Sequence, residues 1–267
     1  MDNQIKAVCY SIVGKVRKKN EDNFYFDNDY RKEEDELNLK CNLKEDDVVC
    51  IFDGMGGESK GDVASITASI VLKEYLDRRR RINWENYIEL ANEEVLKKSS
   101  NHEIVGTTIA GFSIDKNSIE ICNVGDSKIF GLKNNKLIQI SVDDNEEVMN
   151  KKLGINKKGA LTQHLGLKDD EVVLSPHIKE FKIGEFNKIL LCSDGLTDVL
   201  SKKEIEETIN SYDIETCASK LIDRVLEEGA KDNTTIILVE LNEEEIPVAK
   251  EIYVEEEKRS IFDIFRR

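Results

Sequence analysis

Four aspartates in this chain stand where an apolar run gives way to a turn, and side chains of that type in that setting can do chemistry. Asp53 closes the run Val48-Val49-Cys50-Ile51-Phe52 and is followed by Gly54-Met55-Gly56-Gly57, while Asp126 follows Ile119-Glu120-Ile121-Cys122-Asn123-Val124-Gly125. Asp194 follows Lys188-Ile189-Leu190-Leu191-Cys192-Ser193 and precedes Gly195. Asp232, within Lys231-Asp232-Asn233-Thr234-Thr235, opens onto Ile236-Ile237-Leu238-Val239. A single Asp-Gly pair is ordinary turn chemistry. Four carboxylates at the mouths of apolar strands are what a site for hard divalent cations needs, because Mg²⁺ and Mn²⁺ prefer oxygen ligands and keep several waters. An apolar run bounded by glycine reads as a strand buried on both faces, which places Asp53 in a cleft rather than on a solvated surface.

The elements that must position these residues follow from hydrophobic patterning. Residues 7–13 read as a strand, followed by Gly14 and a polar segment, 15–22, in which Arg17, Glu21 and Asp22 stand out before a second strand at 24–26. Residues 27–47 are dense in charge and poor in core formers, so the expectation there is a long, mobile hairpin connection. Apolar residues near helical spacing predict a helix over 62–79, and Asn83 is placed to cap a second one. The run Arg78-Arg79-Arg80-Arg81 complements the first helix's C-terminal dipole and faces water. Strands are expected at 106–114, 118–124, 127–133 and 136–140, joined by hairpin turns at 115–117 and 134–135. Residues 141–177 read as an irregular, mobile flap over a site. Two helices, 202–210 and 214–228, precede the last strand. Strands with helix pairs inserted at two places, without βαβ alternation, indicate an α+β fold with antiparallel sheets.

Composition narrows the function. The chain has 267 residues, enough for one large domain, and its 39 Lys plus Arg against 54 Asp plus Glu give a net charge of −15. That charge argues against a nucleic-acid partner, and an anionic substrate has to be attracted locally against the overall field. No apolar run approaches the ~20 residues of a membrane span, and Met1-Asp2-Asn3-Gln4 lacks the basic start of a secretory signal, so a cytoplasmic protein is expected. The six cysteines (Cys9, Cys41, Cys50, Cys122, Cys192, Cys217) have neither CxxC nor zinc spacing and read as reduced thiols. Gly54-Met55-Gly56-Gly57-Glu58-Ser59 fails as a dinucleotide fingerprint at Ser59, and the order of Ser59, Lys60 and Gly61 fails as a Walker loop. No cysteine is followed six residues later by arginine, which removes the cysteine-nucleophile phosphatase loop. His102, His164 and His177 have no serine-hydrolase or zinc-protease context and read as surface or packing residues.

Taken together, Arg17 to Asp22 (RKKNED), Phe52 to Ser65 (FDGMGGESKGDVAS), Gly106-Thr107-Thr108, Asn123 to Lys128 (NVGDSK), Leu161 to Gly166 (LTQHLG), Leu190 to Ser201 (LLCSDGLTDVLS) and Gly229 to Thr235 (GAKDNTT) resemble the metal-dependent Ser/Thr protein phosphatases of the PPM family, type 2C, in their bacterial form. The resemblance runs from about residue 5 to 241 and implies a phosphatase domain over 1–242, with 243–267 as a tail outside it. It implies a four-layer α-β-β-α sandwich of two antiparallel sheets with a helix pair outside each. It implies two Mn²⁺ or Mg²⁺ ions with a weaker third. Asp53 would bridge the pair, the Gly54 carbonyl would bind one ion, and Asp194 and Asp232 would hold the other. Glu21 and Asp22 would lie around these, partly through water, Arg17 would hold the substrate phosphate, and Asp126 with Asp194 would take the third ion. Two such cations lower the pKa of a shared water and make hydroxide available for in-line attack on a phosphoserine or phosphothreonine. Phosphorylated proteins would be the substrates, a Ser/Thr kinase the opposing partner, and the protein a monomer. A catalytically inactive adaptor of the same fold, or a phosphatase of an anti-sigma antagonist, are the alternatives. The chain departs from the family pattern at Met55 (often His in eukaryotic members), Lys128 (commonly Arg), Glu58 (commonly His) and Asp144-Asn145-Glu146 (commonly Asp-His-Ser).

Overall fold

The computed structural model describes residues 5–32, 36–56, 60–99, 105–116, 118–146, 159–168 and 173–241. Successive side chains of a strand point to opposite faces, and here both faces find apolar partners. In β1 (Ile5–Ile12), Ala7 and Cys9 join one buried cluster while Val8 and Ile12 join another. In β5 (Val48–Phe52), Val49 and Ile51 meet that first cluster from the opposite side, while Val48, Cys50 and Phe52 belong to a third. β13 (Lys188–Cys192) and β14 (Thr234–Glu240) split their residues in the same way. A strand covered on both sides needs no polar alternation, and residues 7–9, 48–52, 189–192 and 236–239 are accordingly apolar at every position.

The first cluster fills the space between two six-stranded antiparallel sheets. One has the order β11 (Lys136–Gln139), β10 (Lys128–Lys133), β13, β14, β1, β4 (Leu37–Leu43). The other runs β12 (His177–Lys182), β9 (Ser118–Val124), β8 (Ile109–Ile114), β5, β2 (Asn23–Phe26), β3 (Asp29–Tyr30). A two-stranded ribbon pairs β6 (Gly54–Gly56) with β7 (Val105–Thr107). α1 (Gly61–Arg78) and α2 (Trp84–Leu96) cover the outer face of the second sheet through Ala64, Ala68, Leu72, Trp84 and Ile88. Gly111 makes room for Trp84, since a Cβ there would lie 2.5 Å from its ring. After the single turn α3 (Asp194–Thr197), α4 (Lys202–Ser211) and α5 (Ile214–Glu227) cover the first sheet through Ile205, Ile209, Cys217 and Leu221. Their starts are fixed locally. Asn83 accepts from the Asn86 N–H, Ser201 and Glu204 form a capping box, and Asp213 accepts from the Thr216 N–H. The layers are helix pair, sheet, sheet, helix pair, as the resemblance implied.

Three expectations need correction. Residues 27–47 are not one long connection, because they contain β3 and β4. Leu37, Leu39, Cys41 and Leu43 alternate with polar residues and turn inward against the central core, a period-2 signal hidden by the surrounding charge. The irregular stretch ends about where expected, but the strand β12 that follows it is unexpected; an edge strand carrying Lys179, Glu180 and Lys182 offers little apolar pattern. The expected strand at 106–114 is broken at Thr108 into β7 and β8. Of the flap, 147–158 and 169–172 lie outside the described residues, as do His102, Glu58 and the tail from 242.

Register explains how the four aspartates meet. β5 and β9 both run antiparallel to β8, so both end at the same edge of the second sheet, with Ile109 opposite Val124. β2 begins there too, Asn23 facing Phe52. In the first sheet Cys192 faces Ile236 and Ile12 faces Thr234, which brings the exits of β13 and β1 to the entrance of β14. One edge of the sandwich therefore collects Asp22, Asp53, Asp126, Asp194, Asp232 and the loop carrying Arg17.

Candidate metal centre

That edge holds a cleft of about 310 Å³ lined by Arg17, Glu21, Asp53, Gly54, Asp126, Asp194 and Asp232, together with Met55, Gly56, Thr108, Gly159, Leu161 and Asn233. Seven of the eight residues singled out in the sequence thus face one space. The eighth, Asp22, is buried directly behind it and accepts a 2.8 Å hydrogen bond from Ser193 Oγ.

Each wall is tied to the scaffold. The Asp53 N–H donates to Thr108 Oγ1 (3.1 Å), while the Asp53 carbonyl accepts from Thr107 Oγ1 and the Thr108 N–H, both at 2.9 Å. Ser193 Oγ links Asp22 to the Thr235 N–H (2.9 Å), joining the start of one sheet to the centre of the other. The Gly125 N–H donates to Asp144 Oδ2 at 3.0 Å, which fixes the turn that presents Asp126. Asp144 also pairs with His177 Nε2 at 2.8 Å, and Lys128 pairs with Asp143. Arg17 Nη2 donates to Asp232 Oδ2 at 2.7 Å with its side chain half exposed. Asp144, Ser193, Thr108 and Asn233 were not singled out as site residues, because their partners are remote in sequence.

Electrostatics shows what the cleft lacks. Burial first, then the neighbouring carboxylates Asp22, Asp194, Asp126 and Asp232, hold Asp53 well above the usual carboxylate range. Burial pushes Asp22 up to about 7, against the lowering effect of its Ser193 hydrogen bond. Burial likewise raises Glu21. Six carboxylates here face one guanidinium, whose own pKa is raised by its hydrogen bond to Asp232.

The residues present fit hard divalent cations. The donors are all oxygens, and Glu21 Oε1 is buried without a hydrogen-bond partner. Gly54 admits no side chain, since a Cβ would lie 2.2 Å from the Gly61 carbonyl oxygen and 2.6 Å from that of Glu21. Its backbone can therefore lie against the start of α1, and its carbonyl remains available as a ligand. Among the described residues no three carboxylate, imidazole or thiol groups converge on one point, so an ion held here takes carbonyl oxygen and water as well, as Mg²⁺ and Mn²⁺ do. All six cysteines are free, and among the described residues no cysteine or histidine lines the cleft.

Comparison with known proteins decides the family. A sequence profile described as protein phosphatase 2C matches residues 31–233. The chain belongs to the protein phosphatase 2C family. The match contains Asp53, Asp126, Asp194 and Asp232, whereas Arg17, Glu21 and Asp22 precede it. The serine/threonine phosphatase stp of Listeria welshimeri is 30% identical to this phosphatase 2C chain over 220 residues, covering 73% of the chain and 84% of that protein. The crystal structure of the Mycobacterium tuberculosis serine/threonine phosphatase PstP/Ppp superposes with a TM-score of 0.71 at 22% identity, covering 89% of this chain and 99% of that one. A crystal structure of the PstP catalytic domain in complex with two manganese ions superposes with a TM-score of 0.68 at 23% identity, covering 89% and 99%.

Proposed function

We propose that this cleft hydrolyses phosphoserine and phosphothreonine in proteins with the help of divalent cations. The carrying observation is the meeting of Asp53, Asp126, Asp194 and Asp232 with Arg17 in one oxygen-lined cleft, in a chain of the phosphatase 2C family. Asp53, the Gly54 carbonyl, Asp194 and Asp232 would hold two ions, Mn²⁺ or Mg²⁺, with Glu21 and Asp22 around them, and Asp126 with Asp194 would take a weaker third. Bound there, such ions supply an acidified water and counter-charge for the phosphoryl group.

The chain's own residues do the rest. Arg17 presents an exposed guanidinium edge that can fork onto phosphate oxygens, a contact lysine cannot reproduce. Its bond to Asp232 aims that edge at the ion-holding wall. No side-chain nucleophile is needed, which agrees with a cleft whose described lining holds neither cysteine nor histidine. The manganese in the PstP catalytic domain supports the choice of metal, and the retained aspartates support an active enzyme over an inactive adaptor. A monomer in the cytoplasm, opposing a Ser/Thr kinase, completes the reading. Among the described residues no helix is long and apolar enough to cross a membrane.

The test is phosphate release from a phosphothreonine peptide with Mn²⁺ against EDTA, in wild type and Asp194→Asn. Release that needs Mn²⁺, and a variant that folds but has lost both turnover and calorimetric Mn²⁺ affinity, are expected. Turnover unaffected by EDTA, or wild-type Mn²⁺ affinity in the variant, would overturn the proposal.

A further inference from the structure

A protein of net charge −15 with six carboxylates at its cleft repels an approaching phosphate, and one feature of the rim opposes this. Residues 13–19 form a short arch whose two feet rest on a single side chain: Asn233 Nδ2 donates to the carbonyls of Val13 (2.9 Å) and Lys19 (3.0 Å). Asn233 is itself buried, and its Oδ1 accepts from the Glu21 N–H at 2.8 Å. The arch is also sewn to the segment before β14. The Lys15 N–H donates to the Ala230 carbonyl at 2.8 Å, and Gly14, at φ 81°, packs so close that a Cβ would lie 2.5 Å from the Asp232 carbonyl oxygen. The arch is therefore fixed in place beside the cleft.

Its outward face carries Lys15, Val16, Arg17 and Lys18, all exposed, with exposed Lys231 next to the feet. Val16 is 65% exposed, a large apolar side chain held in solvent at the tip. Lys19 pairs with Asp62 and Arg17 with Asp232. Lys15, Lys18 and Lys231 have no ion pair among the described residues. The three lysines thus form a local positive rim on a strongly negative molecule, within a Debye length (~8 Å at physiological salt) of groups bound at the arch.

We propose that this arch selects phosphorylated segments with acidic side chains flanking the phosphoresidue, reading them through Lys15, Lys18 and Lys231 and resting an apolar neighbour on Val16. This rests on the phosphatase reading of the adjacent cleft. Exposed charge pairs each contribute a factor of roughly 1.4 to 5, so two lysines reversed in sign change discrimination about tenfold.

The experiment compares kcat/KM for three phosphothreonine peptides, flanked by Glu, Ala or Lys, and for an aryl phosphate, in wild type and the double variant Lys15→Glu, Lys18→Glu, with Mn²⁺ at low and high salt. Wild type is expected to favour the Glu-flanked peptide, with the preference shrinking as salt rises. The double variant should lose that preference about tenfold and favour the Lys-flanked peptide, with melting temperature unchanged and aryl phosphate turnover falling far less than that of the Glu-flanked peptide. Equal kcat/KM for the three peptides in wild type, or an equal fall for all substrates in the variant, would overturn the proposal while leaving the phosphatase reading standing. A wild type that releases phosphate from none of them would overturn both.

Discussion

Stripping divalent cations with EDTA is expected to make the protein lose stability as pH rises from 5 to 7, opposite to the usual behaviour of an acidic protein's paired carboxylates. The cause is Asp22, 1% exposed, whose carboxyl burial lifts from 3.8 to about 7. An acid whose folded pKa lies above its unfolded one stabilises the fold while protonated. That contribution is complete below the unfolded value and is lost as pH climbs through the folded one. Each pH unit between the two removes ~1.4 kcal/mol, so the step from pH 5 to 7 costs about 2 to 3 kcal/mol. For a domain of this size that is roughly 5 to 10 °C in melting temperature. Asp53, raised in the same direction, adds to it. Glu204 and Asp213, held low by hydrogen bonds from Ser201 and Thr216, titrate below this window. Thermal melts by circular dichroism at pH 5, 6 and 7 check the claim. With Mn²⁺ in place of EDTA the ions offset the carboxylate charge and the fall should vanish; Asp22→Asn in EDTA should remove Asp22's ~1.4 kcal/mol per pH unit. A chelated wild type as stable at pH 7 as at pH 5 would refute the reasoning.

Further outcomes follow from the same geometry. Arg17→Ala should raise KM for a phosphopeptide about tenfold or more with Mn²⁺ affinity little changed, as expected for loss of a charge-assisted contact; steady-state kinetics and calorimetry separate the two. Among the described residues no histidine lines the cleft to protonate a leaving alkoxide, and general-acid help is worth ~10²- to 10⁴-fold. If the Asp126 corner supplies that proton, Asp126→Ala slows phosphothreonine peptides far more than an aryl phosphate, and equal slowing of both refutes it. Gly54→Ala puts a methyl against two backbone oxygens at 2.2 and 2.6 Å, so a fall in melting temperature with loss of turnover is expected. Among the described residues Leu241 is the last buried one, its N–H closing on the Asn187 carbonyl at 2.9 Å, so a chain cut after residue 244 should keep peptide turnover and melt at the full-length temperature.

Much of this was legible in the sequence, for identifiable reasons. The runs before Asp53 and Asp194 announce themselves because residues 48–52 and 189–192 are apolar at every position, the run before Asp126 shows through Glu120 and Asn123 by its remaining apolar residues, and the glycines mark where the backbone must turn. Apolar spacing and the cap Asn83 placed α1 and α2 within a residue or two, and the helices expected at 202–210 and 214–228 coincide with α4 and α5, whose starts the structure shows capped by Ser201 and Asp213. β4 was hidden because its alternating Leu37, Leu39, Cys41 and Leu43 sit in a highly charged stretch, and β12 because an edge strand carries few core residues. The arch on Asn233 was not visible at all. The sequence shows an Asn beside Asp232, but its partners at Val13 and Lys19 are brought to it only by the β1–β14 pairing.

That pairing also sets a clock. β14 lies between β13 and β1 and pairs with both, yet it is the last of the described strands to be synthesised. Until residues 234–240 emerge, the first sheet is split, with two long apolar strands presenting open edges, a hazard for misassociation during synthesis at ~5–20 residues per second. The edge that holds the cleft is equally incomplete, since Asp232, the Asn233 staple and the Thr235 link to Ser193 arrive with that strand. On the proposed reading, a nascent or prematurely terminated chain lacking β14 is expected to hydrolyse no phosphoprotein, because competence requires the first and last of the described strands to pair.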